Sequence, residues 1–231
     1  IRILKNISNN MTCFVDPNQE VVPETTSSTD FIKILCEKAP YPLKYNFRNT
    51  AQIRDVIALF CVEGNPEDVK RGTSRGEKPI IKKLPDYNEQ LKYMADLCRQ
   101  MPGQTIGIIV NNQSLNITYN GLYKELEGQV TVQMSKAGVH GVHKEIDFNK
   151  TGVQIVSYGT MKGLEFDAVI LPRIEVINAS NDHRVDMNRM YVATSRARTM
   201  LFLTYFNQSK KNQWIDTWSR VNPKKELFDW I

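Results

Sequence analysis

Two stretches toward the C-terminus hold residues suited to handling phosphate. The first, Ser157-Tyr-Gly-Thr-Met-Lys-Gly-Leu-Glu-Phe-Asp167, gathers two hydroxyls (Ser157, Thr160), a cation (Lys162), a glycine (Gly163) and a carboxylate (Glu165) in one polar turn. A glycine there lets backbone amides approach a phosphate with no side chain in the way. The second, Tyr191-Val-Ala-Thr-Ser-Arg-Ala-Arg198, sets Arg196 and Arg198 on a helix face. Phosphoryl transfer needs positive donors on the terminal phosphate as charge shifts, and arginine offers a planar, permanently charged fork. Plainer readings compete. Arg196 could pair with Asp186, Arg189 and Arg198 read as solvated or ion-paired, and Leu164 and Phe166 read as core.

Other chemistries have less support. Cys13, Cys36, Cys61 and Cys98 are widely spaced with no CxxC pair, so they read as thiols in a reducing cytoplasm and no metal is expected. His140 and His143 lack neighbouring thiols or carboxylates and read as a solvated loop. The 231 residues, 41% hydrophobic and 24% charged, describe an ordinary globular protein. No apolar run has the length of a membrane span and no signal-peptide pattern opens the chain, so no membrane is expected among its partners. A net charge of +5 is compatible with a phosphate-bearing partner without demanding one. Ile1 is not an initiator methionine, which leads to the expectation of a piece excised from something longer.

The elements that must position these residues alternate between apolar strands and amphipathic helices. Met11 to Val15 and Leu43 to Asn46 read as strands, and a short helix carrying Phe31, Ile34 and Leu35 is capped at Thr29-Asp30. Asn49 or Thr50 caps a helix with Ile53, Val56, Ile57 and Phe60 on one face. Residues 63–79 are rich in glycine, proline and charge and read as a mobile loop, and the basic run Lys70 to Lys83 reads as solvated. A helix from Tyr87 to Met101 precedes the buried strand Thr105 to Val110, and another helix covers Leu115 to Leu126. Strands at Val130 to Met134, Val153 to Ser157, Ala168 to Leu171 and Met200 to Thr204 follow, with a short helix expected between the second and third of these. This alternation predicts an α/β fold, a mainly parallel sheet with helices on both faces and ligands at the carboxyl ends of its strands.

Four segments, in order, resemble motifs of superfamily 1 helicases of the UvrD/Rep/PcrA type. Met11-Thr-Cys-Phe-Val-Asp-Pro-Asn-Gln19 is similar to the third motif and Tyr45-Asn-Phe-Arg-Asn-Thr50 to the fourth, usually Asn-Tyr-Arg-Ser-Thr. The two stretches above resemble the fifth and sixth. The resemblance implies a RecA-like second motor domain over residues 29–220, with a short excursion at 135–152 where relatives carry a large insertion. Residues 1–28 would end a preceding motor domain or linker, and 221–231 would form a C-terminal tail. It further implies that Arg48 and Arg196 act as catalytic arginines on the terminal phosphate of ATP. Gln19 would sense that phosphate, an amide being able to donate and accept without adding charge. Glu165 would accept from the ribose beside Gly163. Ser157, Thr160 and Lys162, with Asn111 and Asn112 after the Thr105 to Val110 strand, would touch single-stranded nucleic acid, DNA ahead of RNA. For the two asparagines a helix cap is an equal alternative.

The departures narrow the expectation. Gly159 stands where the family commonly has histidine, and Glu20-Val-Val-Pro-Glu24 follows Gln19 where relatives place stacking aromatics. No GxxxxGK[ST] occurs anywhere in the sequence. ATP and Mg2+ are therefore expected only together with an N-terminal RecA-like domain of the same protein, and the fragment alone is expected to be inactive. Other functions remain open: an NTPase that remodels complexes without unwinding, or a nucleic-acid-binding module derived from a helicase.

Overall fold

The computed structural model describes residues 14, 16–19, 41, 43–135, 146–147, 150–179, 183–206 and 226–231. All but Phe14 of the strand expected at Met11 to Val15, the helix around Phe31 and most of the 135–152 excursion lie outside these residues.

Seven strands form one sheet in the order β3-β4-β2-β5-β6-β1-β7, every neighbour parallel. They are β1 (Ile80–Leu84), β2 (Thr105–Val110), β3 (Val132–Met134), β4 (Gly152–Ser157), β5 (Phe166–Leu171), β6 (Ala197–Phe206) and β7 (Asp229–Trp230). The central strands β2, β4 and β5 are buried at all but one position each, because both faces of the sheet are covered. Helices α1 (Ala51–Ala58) and α5 (His183–Ser195) pack on one face, where Ile53, Val56 and Ile57 meet Met190, Val192 and Ala193. Helices α3 (Tyr87–Gln100) and α4 (Leu115–Leu126) cover the other with Leu91, Met94, Leu97, Leu122 and Leu126. A short helix, α2 (Pro66–Lys70), lies in the segment after α1. This is the RecA-like α/β fold. No helix of the described residues is long and apolar enough to cross a membrane.

Several boundaries differ from expectation. Residues 43–46 are extended but join no ladder, with Leu43 and Tyr45 at 74% and 63% exposure. The glycine- and proline-rich segment at 63–79 is pinned by α2 and by buried contacts described below. Part of the basic run is strand β1, in which Ile81 and Leu84 are buried, Lys82 is half-buried and Lys83 is exposed. Residues 229–230 return to the sheet edge beside β1. Between β4 and β5 the expected short helix is replaced by successive turns over residues 158–165.

Candidate functional site

The first wall of the site is a turn that the Asn46 side chain folds. Its Oδ1 accepts from the backbone N–H groups of Arg48 and Asn49, both at 3.1 Å. Such an asparagine turn satisfies backbone donors locally and leaves Arg48 standing outward at the start of α1. Asn46 Nδ2 donates to Asn49 Oδ1 at 2.8 Å. Asn49 is 1% exposed, and its Nδ2 donates to the carbonyls of Ser195, at 3.0 Å, and Ala197. The Thr50 N–H adds a bond to Arg198 O at 3.2 Å. The turn is thus stitched to both sides of Arg196. Beneath it the buried Arg54 guanidinium donates to the carbonyls of Asn46, Asn49, Lys70 and Ser74. Desolvation by burial pulls the Arg54 pKa below its ordinary value, with Asp55 opposing.

The second wall comes from the segment before β5 and the end of α5. Arg48 Nη2 meets Glu165 Oε1 at 2.6 Å, both side chains being more than a third exposed. Arg196 is only 2% exposed. Its Nε donates to Val192 O at 3.1 Å, Nη1 to Leu164 O at 3.2 Å and Nη2 to Ser195 Oγ at 3.0 Å. Burial lowers its pKa most and the nearby Arg48 lowers it further, while Glu165, Asp16 and Tyr191 oppose. Those groups therefore share one neighbourhood. Asp16 joins it from the 3-10 turn Pro17–Gln19, accepting from Asn18 N and from Gln19 Nε2, each at 3.0 Å. The turn is held by Asn18, whose side chain bonds the backbone of Val62 and Glu63. Gln19 thus reaches the cluster through Asp16.

The remaining candidates divide. Gly163 has φ of +80° and open space where a Cβ would stand, so its backbone is exposed in a conformation that side chains disfavour. Lys162 beside it is exposed. Ser157 is turned inward, and its hydroxyl lies 3.2 Å from that of Thr160, which also accepts from Ser157 N. This pair shapes the turn after β4. Asn111 Oδ1 accepts from Ser114 N at 2.8 Å, the capping role, whereas Asn112 is exposed. Asn111 also borders a cavity of about 270 Å³ with Tyr158 and Arg173 at the carboxyl ends of β2 and β5. Asp186 pairs with Arg189, not with Arg196, and Arg198 pairs with Asp167. No group of three metal-ligating side chains occurs among the described residues.

The cluster contains residues that sequence reasoning passed over. Asp16 reads as a turn former, yet its carboxylate faces Arg196 and Tyr191. Phe47, 75% exposed and stacked on Tyr45 with ring centroids 5.8 Å apart, adjoins Arg48 in the chain. An exposed aromatic next to a candidate phosphate ligand is the signal that could have marked it. Asn49 and Arg54 act mainly on backbone carbonyls, which spacing does not reveal.

No family model matches the chain. A mimivirus protein (Acanthamoeba polyphaga mimivirus) provisionally named as an ATP-dependent DNA helicase is 25% identical over 237 aligned positions, covering 93% of this chain. The chain spans 33% of that curated relative. Among solved structures, the C-terminal domain of a possible DNA helicase from Lactobacillus plantarum aligns with TM-score 0.54 and 20% identity, covering 80% of this chain and 98% of its own. An arterivirus helicase, nonstructural protein 10, in complex with DNA is more remote, with TM-score 0.40, 10% identity and coverage of 66% and 35%. Along most of its length the chain is thus similar to a protein named as a DNA helicase, and its fold is that seen in the C-terminal domain of a possible DNA helicase.

Proposed function

We propose that the chain is the second motor domain of an ATP-dependent DNA helicase or translocase of the UvrD/Rep type, supplying arginines and half of a single-strand track. The observation that carries this reading is the convergence of Arg48, Glu165 and Arg196, from three distant segments, at the amino ends of β5 and β6 and not at the carboxyl ends expected of a parallel sheet. Two guanidinium groups and a carboxylate there match the needs of a nucleotide: cations for the terminal phosphate, an acceptor for a ribose hydroxyl. Phe47 offers an exposed ring on which a base could stack. Arg48 and Glu165 occupy each other in the structure, and so exposed a pair is worth only about 0–1 kcal/mol. A nucleotide would separate them at little cost. The chemistry of ATP and Mg2+ requires a phosphate-cradling loop that this sequence lacks, so the complete site is shared with another RecA-like domain. Nucleic acid would lie over Thr160, Lys162 and Asn112, the polar groups left at or near the surface.

The test is strand-stimulated ATP hydrolysis by the complete polypeptide that carries this chain. Arg196→Ala should lower kcat by a factor on the order of 10³ to 10⁵. Nucleotide binding should largely persist. The 231-residue chain alone should hydrolyse no ATP. Unchanged turnover in the variant, or robust turnover by the chain alone, would overturn the reading.

A further inference from the structure

The fourth-motif resemblance has one substitution with a structural counterpart. Where relatives usually place serine, this chain has Asn49. Its amide reaches across from the start of α1 and bridges the carbonyls that bracket Arg196. Ser195 O belongs to the last turn of α5, where carbonyls lack an intrahelical partner, so the bridge also caps that helix end. On its other side Asn49 Oδ1 takes the Asn46 amide, and Asn46 Oδ1 holds the Arg48 backbone. One unbroken series of hydrogen bonds therefore runs from the backbone of Arg48 to the backbone on each side of Arg196. A serine hydroxyl, shorter by one heavy atom and with a single proton, could not donate to both carbonyls while accepting from Asn46.

We propose that Asn49 is a positioning residue that fixes the two arginines at one spacing, so that they engage the terminal phosphate of a nucleotide as a unit. The proposal rests on the function proposed above. Asn49 touches no nucleotide in this account; it acts through Arg48 and Arg196. Because misplacement by about 1 Å can cost on the order of 100-fold in rate, loosening the series should slow the chemical step more than it weakens binding.

The experiment measures strand-stimulated ATP hydrolysis by the complete polypeptide, with thermal melting run on every variant. Asn49→Ala should lower kcat by about 10- to 100-fold, with KM for ATP changed less than about threefold. Asn49→Ser should fall between the variant and the parent. In a cycle with Arg48→Ala, the double variant should be little slower than Arg48→Ala alone, because residues acting as one unit are not additive. If Asn49→Ala fails to fold, Asn49→Ser and its cycle with Arg48→Ala carry the test. A kcat per folded molecule equal to the parent's, or fully additive losses, would overturn the positioning role. Arg48→Ala and Arg196→Ala serve as references. If both are slow and the Asn49 variants are not, the positioning role fails and the arginine assignment stands; if neither is slow, both fail.

Discussion

Arg54 is a cation whose partners are neutral: four backbone carbonyls from three segments, with the residue 1% exposed. Its charge is solvated by peptide dipoles in place of water, which is why burial lowers its pKa without a carboxylate at hand to restore it fully. Truncation would leave those carbonyls facing a void. Arg54→Ala should therefore cost about 3 kcal/mol or more in urea unfolding. Since two of those carbonyls belong to Asn46 and Asn49, the loss should also slacken the turn under Arg48. Arg54→Lys should recover only part of the stability, because an ammonium cannot spread its donors as a planar fork does. The exposed pair of Arg48 with Glu165 stands at the opposite extreme, strong in geometry and weak in energy.

Among the elements, β2 and β5 are matched by a missing side chain. A Cβ on Gly107 would stand 2.3 Å from the Phe166 ring. Gly107→Ala should destabilise by about 1–3 kcal/mol through overpacking, read from denaturant unfolding, and Phe166→Leu in the same chain should recover part of it. Elements of this kind were legible in the sequence. The 3.6-residue period of α3 and α4 and the apolar run Ile106 to Val110 of β2 leave little choice of period or face. β1 was hidden because Lys82 and Lys83 interrupt its apolar residues. Lys82 lies with its ammonium 4.4 Å from the centre of the Tyr93 ring, a favourable place for a cation outside the core. β7 was hidden because two residues carry no period. Leu43 to Asn46 had apolar alternation without a ladder, so Tyr41, Leu43, Tyr45 and Phe47 remain exposed. In the site, Arg48, Glu165 and Arg196 were legible by residue type within motifs. Asn49 was not, because its partners are carbonyls nearly 150 positions away along the chain.

For the whole molecule, buried weak acids set the response to alkali. Burial pushes the Cys98 thiol up to about 12 from an ordinary 9.0, and raises the phenols of Tyr158 and Tyr191 as well. The folded chain keeps these protons at a pH where the unfolded chain releases them. Their contribution is complete below about pH 9 and is lost as pH climbs toward 12, with the Cys98 share approaching about 1.4 kcal/mol per pH unit in that window. Urea midpoints taken from pH 8 to 11 should fall steadily, and Cys98→Ala should flatten the first part of the decline; a flat profile in the parent would refute the assignment. The helix-free passage from β4 to β5 has a mechanical consequence of the same reach. Residues 158–165 travel from the carboxyl end of one strand to the amino end of another, a distance of roughly 20 Å for strands of this length. The nine Cα steps from Ser157 to Phe166 extend to roughly 30 Å at most. Turns closed by Met161 N to Ser157 O and Leu164 N to Met161 O take up much of that difference. The passage is a short, folded strap, anchored against the core by Met161 and Leu164. Glu165 at one end and Thr160 at the other are thus joined by a short backbone path that those two side chains hold in place.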